Sequence, residues 1–359
     1  MKNSWHYPRT DLAKQIIGMF DTGLANSLVF FAPRRMGKTE FLCKDIQPLA
    51  QKLGWQTFYF SFLDAGVQIK EEFRGDIYRF AEEVGAIPAK KLSRRINKVG
   101  GEVLGIRADI ELRDPQRSDL KIKEIIKQLA KKGKTLLLMD EVQVLANDRD
   151  NEQFIAALRT ALDINKDAVK VIFTGSSQEG LRQMFSQAKA PFFHFGQNLP
   201  FPELGQDFTD HLVKAFEKAT QRTLDREYLW QVFVEMGKVP QLIRSLVERL
   251  ALNPDLSMDA AKKQLLTQVY DDRAFVNIWR ECSALEKLVL LEIVKDGTSL
   301  FAVVTRAQLA KTLGIDALAP TTIQAAIRAL LRKMLIGRLE ERGCYYIADP
   351  NFKNWLIEL

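Results

Sequence analysis

Four short apolar runs stand out in the first half of the chain: 27–31 (SLVFF), 56–63 (QTFYFSFL), 135–139 (TLLLM) and 169–173 (VKVIF). Each is too short for a helix and reads as a buried strand. Between them, residues 11–20, 39–53, 70–85, 120–132 and 152–163 carry helical periodicity, and Gly54 closes the second of these. Strands alternating with helices in this rhythm predict an α/β fold, a parallel sheet with helices on both faces. Beyond Pro200-Phe201-Pro202 the strand signal fades. Residues 206–270 predict several helices. Residues 283–359 predict three more and a strand pair at about 337–347. No internal repeat is present. The pattern divides the chain into a core at 1–200, a helical lid at 201–272 and a C-terminal module at 273–359, with boundaries in the proline cluster 191–202 and near Asp271-Asp272-Arg273.

Residues 86–134 break the rhythm. They hold 14 Lys and Arg against 6 Asp and Glu. Within them 103–112 fits a hairpin strand, and 120–132 a basic helix. Lys90, Lys91, Arg94, Arg95 and Lys98 cluster tightly; a solvated helix face, a nucleic-acid backbone contact and a partner surface all fit them. The whole chain has 359 residues, 47% hydrophobic and 27% charged, with a formal net charge of +7. That composition supports several folded cores. The positive balance admits a polyanionic partner without requiring one. Three scattered cysteines and three scattered histidines give neither a disulfide framework nor zinc-ligand spacing. No run approaches the ~20 apolar residues that span a bilayer, and the N-terminus lacks an apolar signal segment. The expectation is a cytoplasmic protein with no membrane partner.

The candidate chemistry lies where the apolar runs end. After 27–31 comes Ala32-Pro33-Arg34-Arg35-Met36-Gly37-Lys38-Thr39, followed by Glu40 and a helix. This is the phosphate-loop pattern with Ala32 at its first glycine. Backbone N–H groups of such a loop point at phosphate oxygens. Lys38 adds a charge for the β- and γ-phosphates, and Thr39 a hydroxyl for Mg²⁺. After 135–139 comes Asp140-Glu141. A carboxylate at a buried strand's end suits the Mg²⁺ shell, and the neighbouring Glu141 suits polarisation of the attacking water. After 169–173 comes Thr174-Gly175-Ser176-Ser177, whose hydroxyls fit a γ-phosphate sensor or a water-positioning group; an ordinary polar turn fits too.

P-R-R-x-G-K-T, then four apolar residues with D-E, then T-G-S-S, then Gly237-Lys238-Val239-Pro240, together resemble the archaeal-type ATPases. These are AAA+-like P-loop proteins close to the STAND and origin-recognition branches. The resemblance covers most of 5–359. It implies ATP and Mg²⁺ as cofactors, held by Pro33 through Glu40 and by Asp140. It implies catalytic roles for Lys38, Glu141, Thr174 and Ser176, adenine contacts by Pro240, and closure over the base by Pro8 and Arg9. The family often has Gly-Gly-x-Pro where this chain has Lys238. An arginine from a neighbouring subunit is usual in AAA+ enzymes. Arg159 and Arg182 are candidates by location only, and each fits an ordinary surface or ion-pairing arginine better.

The C-terminal module fits a winged helix. Its helices fall at 285–294, 306–313 and 322–333, with Pro320 ending a turn and Thr321 as N-cap. The wing falls at 337–347, with Glu341-Arg342-Gly343 at its tip. Ile323, Ile327, Leu330 and Leu331 form the inward face, leaving Arg328, Arg332, Lys333 and Arg338 as candidate DNA contacts. Winged helices of this family also mediate protein contacts. The combined expectation is an ATP-hydrolysing switch that associates with DNA and forms homo-oligomers. The alternatives are a STAND-like signalling ATPase, or an ATPase subunit acting on a protein effector such as a nuclease or transposase.

Overall fold

The computed structural model describes residues 5–65, 68–88, 121–185, 190, 192–193, 195–271, 273–295, 300–338, 343–357 and 359. The Lys90–Lys98 cluster, the 103–112 hairpin and the wing tip at Glu341-Arg342 lie outside them.

Helix α1 (Thr10–Asp21) leads into β1 (Ser27–Phe31), whose first four residues are buried. The next helical stretch is not uniform. It runs as α2 (Lys38–Phe41), a π-helical turn (Leu42–Ile46) and α3 (Gln47–Lys52). Pro48 has no N–H to return to the preceding turn, and the ladder widens just before it. Then follow β2 (Gln56–Ser61), α4 (Ile69–Glu83), α5 (Ile122–Lys132), β3 (Thr135–Asp140), α6 (Glu152–Ile164), β4 (Val169–Gly175) and α7 (Gln178–Phe185). A fifth strand, β5 (Gln197–Pro200), falls within the proline cluster.

The five strands pair in the order β2-β3-β4-β1-β5, all parallel. β5 carries the polar sequence Q-N-L-P, which gives no hydrophobic signal. Register with β1, Leu28 opposite Gln197 and Phe31 opposite Pro200, makes it a strand. Alternate strand residues serve opposite faces. Leu136, Leu138 and Ile172 join α1 and the phosphate-loop helix in one core; Leu137, Met139, Val171 and Phe173 pack with α4, α5 and α6 in another.

The lid comprises α8 (Gln206–Thr220), α9 (Arg226–Glu235), α10 (Pro240–Leu252) and α11 (Met258–Asp271). Phe208, Leu212, Phe233 and Leu246 belong to the same core as α1 and β1, so the lid rests on the sheet's own hydrophobic layer.

A third core holds α12 (Arg273–Glu281), α13 (Ala284–Val294), α14 (Val303–Leu313), α15 (Pro320–Arg332), the antiparallel pair β6 (Ile336–Arg338) and β7 (Tyr345–Ile347), and α16 (Pro350–Ile357). Three helices followed by a hairpin is the element order expected of a winged helix. Pro320 opens α15 as its first residue, behind Ala319 at the N-cap, so Thr321 is not the cap. Proline's fixed φ and missing N–H suit that position. Gly337 faces Tyr346 across the hairpin. A β-carbon there would lie 2.4 Å from the tyrosine ring, which covers the glycine.

Candidate functional site

In a parallel sheet, ligand-binding loops gather at the carboxyl ends of the strands. β1, β3 and β4 here end side by side in the loop 32–37, in Asp140-Glu141 and in Gly175-Ser176-Ser177. Arg35 (φ 69°) and Gly37 (φ 85°) take the loop's left-handed conformations. Ala32 does not, so replacing glycine there meets no conformational obstacle. Gly175 is needed for a different reason: its β-carbon would lie 2.5 Å from Gln143 Oε1 and 2.8 Å from Leu181.

Lys38 opens α2 and is buried. Its ammonium donates to the carbonyls of Ala32 at 2.6 Å and Pro33 at 3.0 Å. Burial pushes its pKa down, against the pull of Glu141 and Asp140. Asp140 is 2% exposed. Its carboxylate accepts the Thr39 hydroxyl on Oδ2 and the Thr174 hydroxyl on Oδ1, with the Tyr59 hydroxyl 3.3 Å from Oδ2. Burial and the Asp140 charge push the Tyr59 pKa up, so its proton stays in place as a donor. Among the described residues Asp140 has no salt-bridge partner. A buried carboxylate of that kind, touching a hydroxyl, is a donor set suited to a hard divalent ion that keeps most of its waters. Glu141 Oε2 accepts from Ser176 Oγ at 2.6 Å and from Gln143 Nε2 at 2.5 Å. A cavity of about 410 Å³ opens above the loop, lined by Arg34, Arg35, Lys38, Thr39, Glu141 and, from the lid, Pro240 and Arg244. A larger hollow of about 560 Å³ around Asn26, Leu162 and Lys166 contains none of these groups.

A scan against protein-family models finds no match, and a search of curated proteins finds none either. Solved structures do match. The Walker-type ATPase of Pyrococcus abyssi aligns with a TM-score of 0.67 over 99% of each chain at 16% identity. The ORC2 protein of Aeropyrum pernix in its ADPNP–ADP complexes aligns with a TM-score of 0.58, at 13% identity, over 97% of this chain and 90% of that one. The chain has the P-loop NTPase fold of these structures.

Within this fold the lid meets the phosphate-loop helix through a charged cluster. Arg244 of α10 donates to Glu40 Oε2 at 2.8 Å and to the Trp5 carbonyl at 3.2 Å. Glu40 also pairs with Lys44 and lies 3.5 Å from His6, whose Nε2 is 2.8 Å from Asp45. Burial raises the Glu40 pKa, but Lys44 and Arg244 outweigh it and hold it below the ordinary value. The Glu40 side chain therefore braces the lid, and only its backbone N–H is of use to a phosphate. A slot of about 20 Å³, lined by His6, Tyr7, Arg9, Met36, Phe208 and Pro240, adjoins the main cavity. Arg9 lies 4.2 Å over the Phe201 ring and donates to the Pro202 carbonyl at 2.5 Å, its pKa pushed down to about 10 by burial. Pro8 is exposed and lines neither space. Lys238 sits at φ 52° beside Gly237 at φ 69°, a left-handed pair in which glycine would be relaxed.

Other expectations need correction. Thr174 is 1% exposed and lies behind Asp140, so it braces that carboxylate and cannot reach a γ-phosphate. Arg159 is engaged within its own chain, 3.0 Å from the Phe193 carbonyl. In the C-terminal module Arg328 and Arg332 are exposed. Lys333 is held by Glu286 at 3.0 Å and the Glu281 carbonyl at 3.1 Å, so it is tied to α13 and is not a free cation. Arg338 is half-buried in β6, with a buried Nε that has no hydrogen-bond partner among the described residues. The sequence pattern does not reveal Tyr59, Gln143, Arg244 or His6. No signal marks His6, Tyr59 or Arg244, which act across 39 to 239 residues of chain. Gln143 is visible only as the one polar residue in V-Q-V-L-A.

Proposed function

We propose that this chain binds MgATP in the cavity above residues 32–39 and hydrolyses it, using the cycle to change how the lid sits on the sheet. The observation that carries this reading is the convergence of Lys38, Thr39, Asp140 and Glu141 at the ends of adjacent strands, beside an open cavity. Thr39 and Asp140 would hold Mg²⁺, which supplies charge neutralisation at the β- and γ-phosphates. Lys38, now satisfied by loop carbonyls, would turn to the phosphates, and Arg34 and Arg35 add positive charge at the rim. Glu141 would take the proton of the attacking water. Arg244 and Pro240 bring the lid to the same cavity, so occupancy can alter the Arg244–Glu40 contact. Lys38→Ala should abolish most ATP affinity and turnover while the fold persists. Unchanged nucleotide binding by calorimetry in that variant would overturn the assignment.

The proposed partner is DNA, through Arg328 and Arg332 of α15, and a homo-oligomer formed in the ATP state. The second reading, a signalling ATPase with a protein effector, gains from the engagement of Lys333 and the partial burial of Arg338, which leave fewer free cations on the winged helix. ATPase rates with and without duplex DNA discriminate the two: stimulation supports the first, indifference the second.

A further inference from the structure

Glu141 lies in a left-handed conformation, φ 54° and ψ 40°, which residues with a β-carbon adopt uncommonly. Its carboxylate is held in place. Ser176 Oγ (2.6 Å), the Ser176 N–H (3.3 Å) and Gln143 Nε2 (2.5 Å) all donate to a single oxygen, Oε2. Among the described residues none of these donors reaches Oε1. Gln143 also stands 3.3 Å from Ser176 Oγ, so the two donors form one unit.

Gln143 is a costly residue for its place. It is 5% exposed, and its Oε1 is buried without a hydrogen-bond partner. Two glycines make room for it. A β-carbon on Gly175 would lie 2.5 Å from its Oε1, and one on Gly180 would lie 2.7 Å from its Cβ. A leucine or methionine would fill the same volume without burying an unsatisfied carbonyl. What the amide supplies, and they would not, is an N–H on Glu141.

We infer that Gln143 is a positioning residue for hydrolysis: with Ser176 it fixes Glu141 through Oε2 and leaves Oε1 to take the proton of the attacking water. This inference rests on the ATPase reading above. It assigns Ser176 to the carboxylate and not to the phosphate. It also explains the glycine of Thr174-Gly175-Ser176 as clearance for a side chain from the neighbouring strand's loop.

Single-turnover ATP hydrolysis and ATP affinity in Gln143→Met test it. The rate should fall by about 10²-fold, the scale of a misplaced catalytic group, with ATP affinity essentially unchanged. In a Glu141→Gln background the same substitution should have no further effect, because the group it positions is gone. A purely packing role would instead lower thermal stability and slow both backgrounds alike. An unaltered single-turnover rate in Gln143→Met, in a wild type that hydrolyses ATP, overturns the inference; a wild type that binds but never hydrolyses ATP overturns the activity and this inference together. Should Gln143→Met fail to fold, Gln143→Leu removes the amide donor without adding a second acid beside Glu141, and a wild-type rate there overturns it equally.

Discussion

Asp140 and Glu141 are adjacent acids in different surroundings, and under the proposed function that difference divides their work. Asp140 ends β3, is buried, and accepts hydroxyls on both oxygens. Glu141 is half-buried, turns into a left-handed conformation and reaches the cavity. A buried carboxylate held on both oxygens beside Thr39 suits a metal shell; one held on a single oxygen at the cavity suits proton transfer. Glu141→Gln should therefore retain ATP binding and slow single-turnover hydrolysis by about 10²-fold or more. Nucleotide titration and quenched-flow product analysis separate the two effects, and an unchanged rate would move the general base elsewhere. Lys38, Thr39, Asp140 and Glu141 can be picked out in the sequence because a glycine-lysine loop and an acid pair after apolar runs form a recognisable pattern, and the fold brings the four together. Tyr59 and Arg244 cannot, since their partners are 81 and 204 residues away and only the fold brings them together.

At the level of elements, the four strands with apolar runs can be read directly, because strands buried on both faces spell continuous hydrophobic sequence. β5 cannot, since Q-N-L-P carries no apolar run and its place is seen only in its pairing with β1. The helix after the phosphate loop reads as continuous in sequence, and Pro48 marks its π-helical turn only once the hydrogen-bond ladder is seen. Helix α13 illustrates a local signal that combines with a distant one. Ser283 and Glu286 form a capping box, with Glu286 accepting the Ser283 N–H at 2.7 Å. Lys333, at the end of α15, adds its ammonium at 3.0 Å. Burial raises the Glu286 pKa, but the Ser283 N–H and Lys333 outweigh it and hold the carboxyl below its ordinary value of 4.5. A carboxyl depressed on folding stabilises fully above the unfolded value, and the contribution disappears as pH falls through the folded one. Thermal melts of Glu286→Gln against wild type should thus show a deficit at neutral pH that narrows below about pH 4.5. A deficit independent of pH would mean the carboxylate's charge is irrelevant there.

Across the whole molecule, the lid shares its core with the sheet, while the C-terminal module has a separate one. Substitutions on the outer face of the C-terminal module therefore leave the residues lining the nucleotide cavity in place. The candidate DNA surface is narrower than the basic sequence of α15 implies. Arg328 and Arg332 are exposed on the side of the helix away from Ile323, Ile327 and Leu330, whereas Lys333 is engaged by Glu286. Arg328→Ala with Arg332→Ala should weaken duplex binding and flatten its log–log salt dependence by roughly 0.9 for each phosphate no longer neutralised. Lys333→Ala should leave the salt slope unchanged and instead lower the module's melting temperature, because it leaves the buried Glu286 carboxylate without its cation. ATP affinity should be the same in both variants, as neither touches the cavity. Fluorescence anisotropy over a salt series, run beside thermal melts, separates these effects. Wild-type affinity and slope in the double arginine variant would remove α15 as the DNA-binding element. The partner-protein reading would then stand ahead, since the exposed arginines of α15 would have no polyanion to meet.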